Sequence, residues 1–326
     1  MRLRVLVEPH HGASYQQLLT LAQATQESGF DAFFRSDHYM GIDSQDPTYT
    51  PTDSWATLAG LAVQTSRIKL GTLMTAATFR HPGQLAITVA TVDAMSGGRV
   101  ELGIGAGWYE REHQGLGIPF PSTSERFDRL EEQLAIVSGL WSTPTGEYFS
   151  YRGKHYHLDE CSNFPVHAPA RADGIAPGAG APGFPPHRPR PRVIVGGVGR
   201  KRTPSLAARF ADEFNSGFPD GLAERLDNFR RICAESGRDP TAVRMSTTLP
   251  VCCGATVAEA RRRADALGAA GARMLRNGLV GVPGDVARVI EELATLGVDT
   301  LYFHIYDSTD PDHIRLLGTE LAARFG

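Results

Sequence analysis

Cysteine, net charge and long apolar runs are all scarce in this sequence, and each scarcity excludes a class of protein. Four cysteines at irregular spacing are too few for a disulfide scaffold or a paired-cysteine zinc site. A net charge of −3 over 326 residues gives no field that would draw the chain onto nucleic acid or an anionic membrane. No apolar run approaches the roughly 18 residues of a spanning helix, and no secretory leader pattern begins the chain. We therefore predict a cytoplasmic protein without nucleic-acid or membrane partners.

The sequence does contain an alternation of short β-branched runs with helical patterns, which is typical of strand-helix-strand units around a parallel sheet. Eight such pairs predict a (β/α)8 TIM barrel that forms one domain, 1–326, with insertions at its C-terminal face. A doubly wound open sheet is the alternative. That fold needs a glycine-rich dinucleotide fingerprint after its first strand, where this chain has Glu8, Pro9, His10 and His11.

One segment, about 161–191, is rich in proline, glycine, alanine and arginine and has few large apolar side chains. Such a composition cannot bury a core, so we predict a flexible insertion within the barrel. Just before it, His155 and His157 carry nitrogens that could bind a metal. Alternate residues of a strand share one face, but the neighbouring acidic residues and cysteine have no fixed geometry. We predict no metal site in the chain.

Catalytic groups of a barrel lie where its strands end, because only there do the strand-to-helix loops converge. The second predicted strand ends in Asp37 and His38, a carboxylate and an imidazole suited to proton transfer near neutral pH. In the alternative interpretation, Asp37 caps the following segment and His38 lies on the surface. The pair is our first candidate for catalysis.

The third and fourth predicted strands end in small residues that let a flat ligand approach the backbone. A dinucleotide fingerprint would need a glycine where the fourth strand end has Trp108, so that interpretation fails. Tight packing at a barrel corner would explain the glycines equally well. The candidate ligand contacts at these two strand ends are Leu73, Met74, Thr75, Gly105, Ala106 and Gly107.

The fifth predicted strand runs into glycines and cations directly before a helix. Free backbone N–H groups, a helix N-terminus and positive charge together predict a phosphate site, although the spacing is not that of a nucleotide P-loop. A solvated basic turn is the alternative. The candidate phosphate ligands are Gly196, Gly197, Gly199, Arg200 and Thr203.

Taken in order, the motifs SDH, GTLMTAATFRHP, SGGRVELGIGAGWYEREH and VGGVGRKRT, with the ending VGVPGDVARVIEELATLGVDTLYFHI, resemble the luciferase-like monooxygenase superfamily, and within it the branch that depends on coenzyme F420. The resemblance implies that Asp37 and His38 face the isoalloxazine or deazaflavin ring and that His38 transfers a proton to the substrate. It also implies a strand bulge with a non-proline cis peptide at Leu73-Met74 behind the ring.

By the same resemblance, the glycine-rich loop holds the cofactor phosphate, and Arg202 or the run from Arg188 to Arg192 meets an anionic tail. Sugar-phosphate dehydrogenases of the family carry a glutamate as second acid where this chain has Trp108, which argues against phosphosugar oxidation. Glu110 and His113 follow closely and are candidates for the missing proton donor. We therefore count Trp108 and Glu110 among the candidate catalytic residues.

The resemblance predicts hydride transfer between coenzyme F420 and a small organic substrate with a C=C, C=N or C=O group. An FMN-dependent two-component monooxygenase on the same fold is the second hypothesis, and a non-catalytic flavin-binding barrel is the third. The predicted partners are the substrate, a reductase that supplies reduced F420 or flavin, and a second copy of the chain in a homodimer.

Overall fold

The computed structural model describes residues 1–42, 50–144, 146–161, 190–268, 271 and 278–325. Eight parallel strands form a closed barrel, because each strand pairs with the next and the last pairs back to the first. The prediction of a (β/α)8 barrel is confirmed. In barrel order the strands are β1 (Arg2–Val7), β2 (Ala32–Arg35), β3 (Lys69–Ala76), β4 (Val100–Gly105), β7 (Arg192–Gly196), β8 (Glu213–Asn215), β9 (Arg244–Cys253) and β11 (Thr300–Ile305).

Helices cover the outside of the barrel and connect its strands. Several begin at side-chain caps. At the start of α1, for example, the Ser14 hydroxyl accepts a hydrogen bond from the Gln17 N–H, and Oε1 of Gln17 accepts one from the Ser14 N–H. The helices are α1 (Tyr15–Glu27), α2 (Ser54–Gln64), α3 (Pro82–Ser96), α4 (Glu110–Leu116), α5 (Thr123–Ser142), α6 (Arg202–Phe210), α7 (Leu222–Glu235), α8 (Val257–Ala266), α9 (Pro283–Thr295) and α10 (Pro311–Leu317).

Alternate residues of β1 face the helices and the barrel interior, as the period of two requires. Leu3, Val5 and Val7 belong to the large apolar core between strands and helices. Leu6 belongs to a smaller cluster that also contains Phe34 and fills part of the interior. The barrel is thus packed below its mouth, and a ligand has to bind at the strand ends.

Near the amino ends of the strands the interior is ionic. The buried guanidinium of Arg4 bonds Glu101 through Nη1 at 2.6 Å and through Nη2 at 3.2 Å. Its Nε donates to Asp31 at 2.8 Å, and the Tyr302 hydroxyl donates to Glu213 at 2.7 Å. Each of the three guanidinium nitrogens therefore has a partner.

Two small additions to the barrel were not predicted. The strands β5 (Phe149–Arg152) and β6 (His157–Cys161) form an antiparallel hairpin, and β10 (Leu279–Gly281) pairs with the end of β9. Residues 162–189 of the predicted insertion lie outside the described residues. Among the described helices, none is long and apolar enough to cross a membrane.

Candidate active site

Asp37 follows β2 and is buried inside a polar network. The Arg80 guanidinium bonds both of its oxygens, with Nη1 at 2.5 Å from Oδ2 and Nη2 at 3.2 Å from Oδ1, and Thr75 donates from 2.8 Å. Arg80 also bonds Asp53 at 2.7 Å, and Asp53 accepts from the Tyr39 hydroxyl at 2.6 Å. Burial alone would raise the pKa of Asp53, but these bonds and the Arg80 charge lower it to about 2. Both Asp37 oxygens are thus occupied within the protein.

His38 is bound to Glu112, a residue that its position in the sequence does not mark as part of the site. Its Nδ1 lies 2.9 Å from Oε2 of Glu112, whose side chain is fully buried. The other carboxylate oxygen of Glu112 accepts the backbone N–H of Tyr39. A carboxylate on Nδ1 favours the tautomer with its proton there, which leaves the Nε2 lone pair available for proton transfer.

Aromatic rings surround His38 at the mouth. The ring centroids of Trp108, Tyr109 and His10 lie 5.8, 6.2 and 5.2 Å from that of His38. Trp108 is 61% exposed, so its indole stands at the rim of the mouth next to the imidazole. The structure therefore brings His38 and Trp108 together, as expected from their positions at neighbouring strand ends.

Glu110 and His113 do not join this group. Glu110 is exposed at the start of α4 and accepts from the Gln114 side chain at 3.1 Å. His113 is buried, with Nδ1 2.8 Å from the Tyr109 carbonyl and Nε2 2.6 Å from the Thr78 hydroxyl. Both His113 nitrogens thus have partners within the protein, and the structure gives no support to His113 as a proton donor to substrate.

The third strand carries the predicted bulge. Its pairing with β4 shifts register between Thr72 and Thr75, and the Leu73-Met74 peptide bond is cis. Both predictions are confirmed. A Cβ added to Gly105 would lie 3.6 Å from Sδ of Met74, and one added to Gly196 would lie 1.9 Å from its Cε. The Met74 side chain therefore lies between the ends of β4 and β7. It separates the candidate cofactor residues at the end of β4 from those at the end of β7, and Ala106 and Gly107 follow directly after β4.

The loop from β7 to α6 wraps around a buried threonine. A Cβ on Gly199 would lie 3.0 Å from the Thr203 hydroxyl, and Gly197 adopts a φ of 141°. Helix α6 starts with Lys201 at its N-cap position, and no side chain caps it. Because the first N–H groups of a helix have no partner within the helix, this end can accept an anion.

Beside this loop lies a cavity of about 360 Å³. Arg200 and Arg225 bring positive charge to it, and the exposed Arg200 also pairs with Glu224 at 3.3 Å. The other lining residues are Val198, Gly221 and Asn228. The cavity thus lies beside the loop that leads into α6, and its lining carries both arginines and the carboxylate of Glu224.

The expected contacts to an anionic tail need correction. Arg202 pairs with Asp128 at 2.6 Å on α5 and is held there. Arg190 pairs with Asp212 at 2.6 Å, and Arg192 begins β7, so both lie at the amino end of that strand, away from the mouth. Arg188 is outside the described residues. The sequence itself contained this signal, because the run from Arg188 to Arg192 precedes the fifth strand, and residues before a strand lie at its amino end, whereas barrel ligands bind at the carboxyl end.

Fold and site together define a class of protein. The class is that of closed parallel barrels with an imidazole-carboxylate pair and a glycine-rich loop at the mouth. The profile of the luciferase-like monooxygenase family matches residues 1–282. The chain belongs to that family, and the predicted resemblance is confirmed.

Curated relatives include F420-dependent enzymes. The chain is 37% identical over 150 residues to an F420-dependent glucose-6-phosphate dehydrogenase of Microbacterium testaceum, covering 45% of this chain and 42% of that protein. It is 30% identical over 241 residues to an F420-dependent hydroxymycolic acid dehydrogenase of Mycobacterium tuberculosis, covering 73% of this chain and 59% of that protein. The chain thus aligns with about half the length of these relatives.

Solved structures agree on the fold. An F420-dependent secondary alcohol dehydrogenase, solved with an F420-acetone adduct, superimposes with a TM-score of 0.77 over 99% of both chains at 18% identity. A monooxygenase from Streptomyces bottropensis superimposes with a TM-score of 0.78 over 100% of both chains at 21% identity. At these identities the likeness concerns the barrel alone.

Proposed function

We propose that this protein is an F420-dependent oxidoreductase that transfers a hydride between the deazaflavin and a small organic substrate, with an alcohol and carbonyl pair as the first candidate. The observation that carries the proposal is His38, which lies at the barrel mouth with Nδ1 fixed by the buried Glu112. The mycobacterial relative supports it, because the name of that protein describes an F420-dependent dehydrogenase of a hydroxy acid.

The residues around the mouth fit the cofactor. The bulge at Leu73, Met74 and Thr75 would back a flat ring, and the small residues Gly105, Ala106 and Gly107 leave room for it next to the backbone. The uncapped start of α6 with Gly196, Gly197, Gly199, Arg200 and Thr203 offers N–H groups and charge to a phosphate. When bound, the oxidised deazaflavin would accept a hydride from an alcohol and the reduced form would donate one to a carbonyl, without activating dioxygen.

The chain's own part in the reaction is proton transfer and orientation. Glu112 holds the proton of His38 on Nδ1, so Nε2 accepts the hydroxyl proton of an alcohol or, once protonated, returns it to a carbonyl oxygen. Asp37 has a positioning role, because Arg80 and Thr75 occupy its oxygens. The exposed Glu110 has no part in this proposal.

Trp108 gives the substrate side of the mouth an aromatic wall. An indole N–H donates a hydrogen bond but does not release its proton in the ordinary pH range, so Trp108 cannot act as a second acid. A flat apolar surface next to His38 suits an apolar alcohol better than a phosphosugar. We therefore propose uncharged organic substrates rather than sugar phosphates.

The FMN-dependent monooxygenase is the second candidate. A relative in Pseudomonas putida, named as an FMNH(2)-dependent dimethylsulfone monooxygenase, is 26% identical over 222 residues, covering 67% of this chain and 53% of that protein. A separate reductase would be needed wherever the reaction consumes reduced cofactor, as in the monooxygenase. That reductase, the cytoplasmic location and the homodimer remain predictions.

Paired titrations of the purified protein with F420 and with FMN, followed by ring fluorescence, test the proposal. We expect F420 to bind tightly and FMN weakly. Gly199→Ala pushes a methyl group towards Thr203 and should weaken F420 binding about tenfold or more, because hydrogen bonds to a charged phosphate are lost. Gly284→Ala, which meets nothing within 4 Å, is the matched control. Tight FMN binding with weak F420 binding would favour the monooxygenase, and binding of neither would favour the non-catalytic barrel.

A further inference from the structure

A cluster of histidines around Glu8 lies at the carboxyl end of β1, beside the site described above but not used by it. A 3-10 turn at Pro9–His11 follows the strand directly, and Gly12 closes it through a hydrogen bond to the Pro9 carbonyl. This short turn holds Glu8, His10 and His11 so that one ligand atom from each lies within 4.8 Å of the others.

The three side chains point to one place. Oε2 of Glu8 lies 3.7 Å from Nε2 of His10 and 3.6 Å from Nε2 of His11, which is too far for hydrogen bonds. Tetrahedral zinc bound at about 2.0–2.1 Å spaces its ligand atoms roughly 3.3–3.5 Å apart. The observed separations therefore suit a shared ion better than direct contacts.

A second observation shows that the cluster needs a ligand. His10 is fully buried, and its Nε2 has no hydrogen-bond partner. An unsatisfied buried nitrogen costs free energy unless a ligand or water binds it. Nε2 of His10 is therefore open to a ligand.

Neighbouring residues orient the ligand atoms. Nδ1 of His10 lies 3.0 Å from the Ser36 hydroxyl, and a proton donated there leaves Nε2 unprotonated. The other oxygen of Glu8, Oε1, lies 3.0 Å from Nε2 of His304 on β11, a close contact without hydrogen-bond geometry, since Nε2 of His304 has no hydrogen-bond partner. Second partners of this kind fix the tautomer and the carboxylate rotation at metal centres.

We propose that Glu8, His10 and His11 form a binding site for a divalent first-row transition ion, with Ser36 and His304 as positioning residues. Two histidines and one carboxylate with an open fourth position are a known ligand set for zinc, and they also suit iron(II). The proposal departs from our sequence-based prediction that the chain has no metal site. It does not depend on F420, since the ion can be measured without the cofactor.

Equilibrium dialysis of the chelator-treated, tag-free full chain against Zn²⁺, followed by metal analysis, tests the site. We expect one Zn²⁺ per chain with a Kd of about 1 μM or tighter. Glu8→Gln and His11→Ala should weaken binding about 100-fold, and Ser36→Ala about tenfold. His157→Ala removes an exposed histidine of β6 and should change nothing.

Thermal unfolding of each metal-free variant separates loss of binding from loss of folding. His11 is 23% exposed, so its variant keeps the buried core intact even if a change at His10 does not. Visible absorption of bound Co²⁺, lost in His11→Ala, checks that the ion sits on these nitrogens. Zinc binding that is absent in the parent chain, or equally tight in Glu8→Gln and His11→Ala, would overturn the proposal.

Discussion

The two ends of the barrel interior both contain buried charged groups, but the groups differ in how completely they are satisfied. At the amino ends of the strands, each guanidinium nitrogen of Arg4 bonds a carboxylate or a hydroxyl of the protein. At the carboxyl ends, Nε2 of His10 is buried without a partner, and His38 is held through Nδ1 among the residues that the structure describes. Nη1 of Arg244 and the Thr300 hydroxyl at the amino ends also lack partners, so the contrast lies between the Arg4 network, which is closed on itself, and the two imidazoles, which are open to a ligand.

This difference shows how a buried polar group can be assigned to stability or to function. A network with all its bonds made within the protein fixes the structure, and losing one member leaves uncompensated charge behind. A network that lacks a partner carries a cost in the free protein that a ligand can remove. In this barrel the two kinds lie in one interior, so the following predictions compare them directly.

The largest effect is expected at the closed end. Arg4→Met leaves Glu101 and Glu213 buried without their cation, which should lower the free energy of unfolding by about 3–5 kcal/mol. Urea unfolding measures this change. Arg231→Met, which removes an exposed pair with Glu235, is the control and should cost under about 1 kcal/mol. Equal losses in the two variants would contradict the role assigned to the Arg4 network.

A smaller effect is expected at the open end, on catalysis. In Glu112→Gln the amide oxygen can still accept the Tyr39 N–H, so its NH2 group faces Nδ1 of His38 and imposes the wrong tautomer. We expect kcat to fall about 10- to 100-fold while the Kd for F420 and the free energy of unfolding stay nearly constant.

Two companion variants sharpen this result. Glu112→Asp keeps a carboxylate and should restore part of kcat, which a purely structural role would not predict. Glu110→Gln changes the exposed glutamate of the same helix and should leave kcat unchanged. A loss of kcat in Glu110→Gln with full activity in Glu112→Gln would reverse the assignment.

The third effect concerns pH. Nε2 of His313 accepts the Cys253 N–H at 2.8 Å, and burial, with Arg263 nearby, lowers the pKa of His313 from 6.5 to about 4. The unfolded chain then binds the proton first as pH falls, so this contribution to stability is present above pH 6.5 and is lost progressively towards pH 4. Between pH 7 and 5 the loss is about 2 kcal/mol.

Urea unfolding at the two pH values, compared with His313→Gln, measures that loss. The variant has no titrating group at this position, so its free energy of unfolding should fall less between pH 7 and 5, whatever its value at pH 7. An identical pH dependence in parent and variant would show that His313 does not titrate in this way.

Much of the barrel could be predicted because its strands are short apolar runs with a local signal. The last strand, Thr300–Ile305, is such a run, and all of its residues are buried. The hairpin of β5 and β6 was missed, since the alternation in β5 extends over only four residues, too few for a period to be read, and β6 has a single buried residue, Leu158. Local pattern identifies core strands better than it identifies surface additions.

The sequence indicated which residues lie at the barrel mouth, but not which hydrogen bonds they make. The rule that catalytic groups lie at strand ends selected Asp37 and His38, yet it could not pair His38 with Glu112, 74 residues away. Nor could it show that Arg80 occupies Asp37. The only sequence signal for Glu112 is its place two residues after Glu110 in a short helix, and tertiary packing decides which of the two faces inward.

The most direct test of the proposed function is the rate of F420 reduction by a panel of alcohols that includes glucose 6-phosphate, for the parent chain and for His38→Ala. The Kd for F420 is measured on the same samples. We predict turnover of an uncharged alcohol by the parent, a rate lower by about 10²–10⁴ in the variant, and a nearly constant Kd. An unchanged rate in His38→Ala, or no F420-dependent turnover by the parent, would contradict the proposed function.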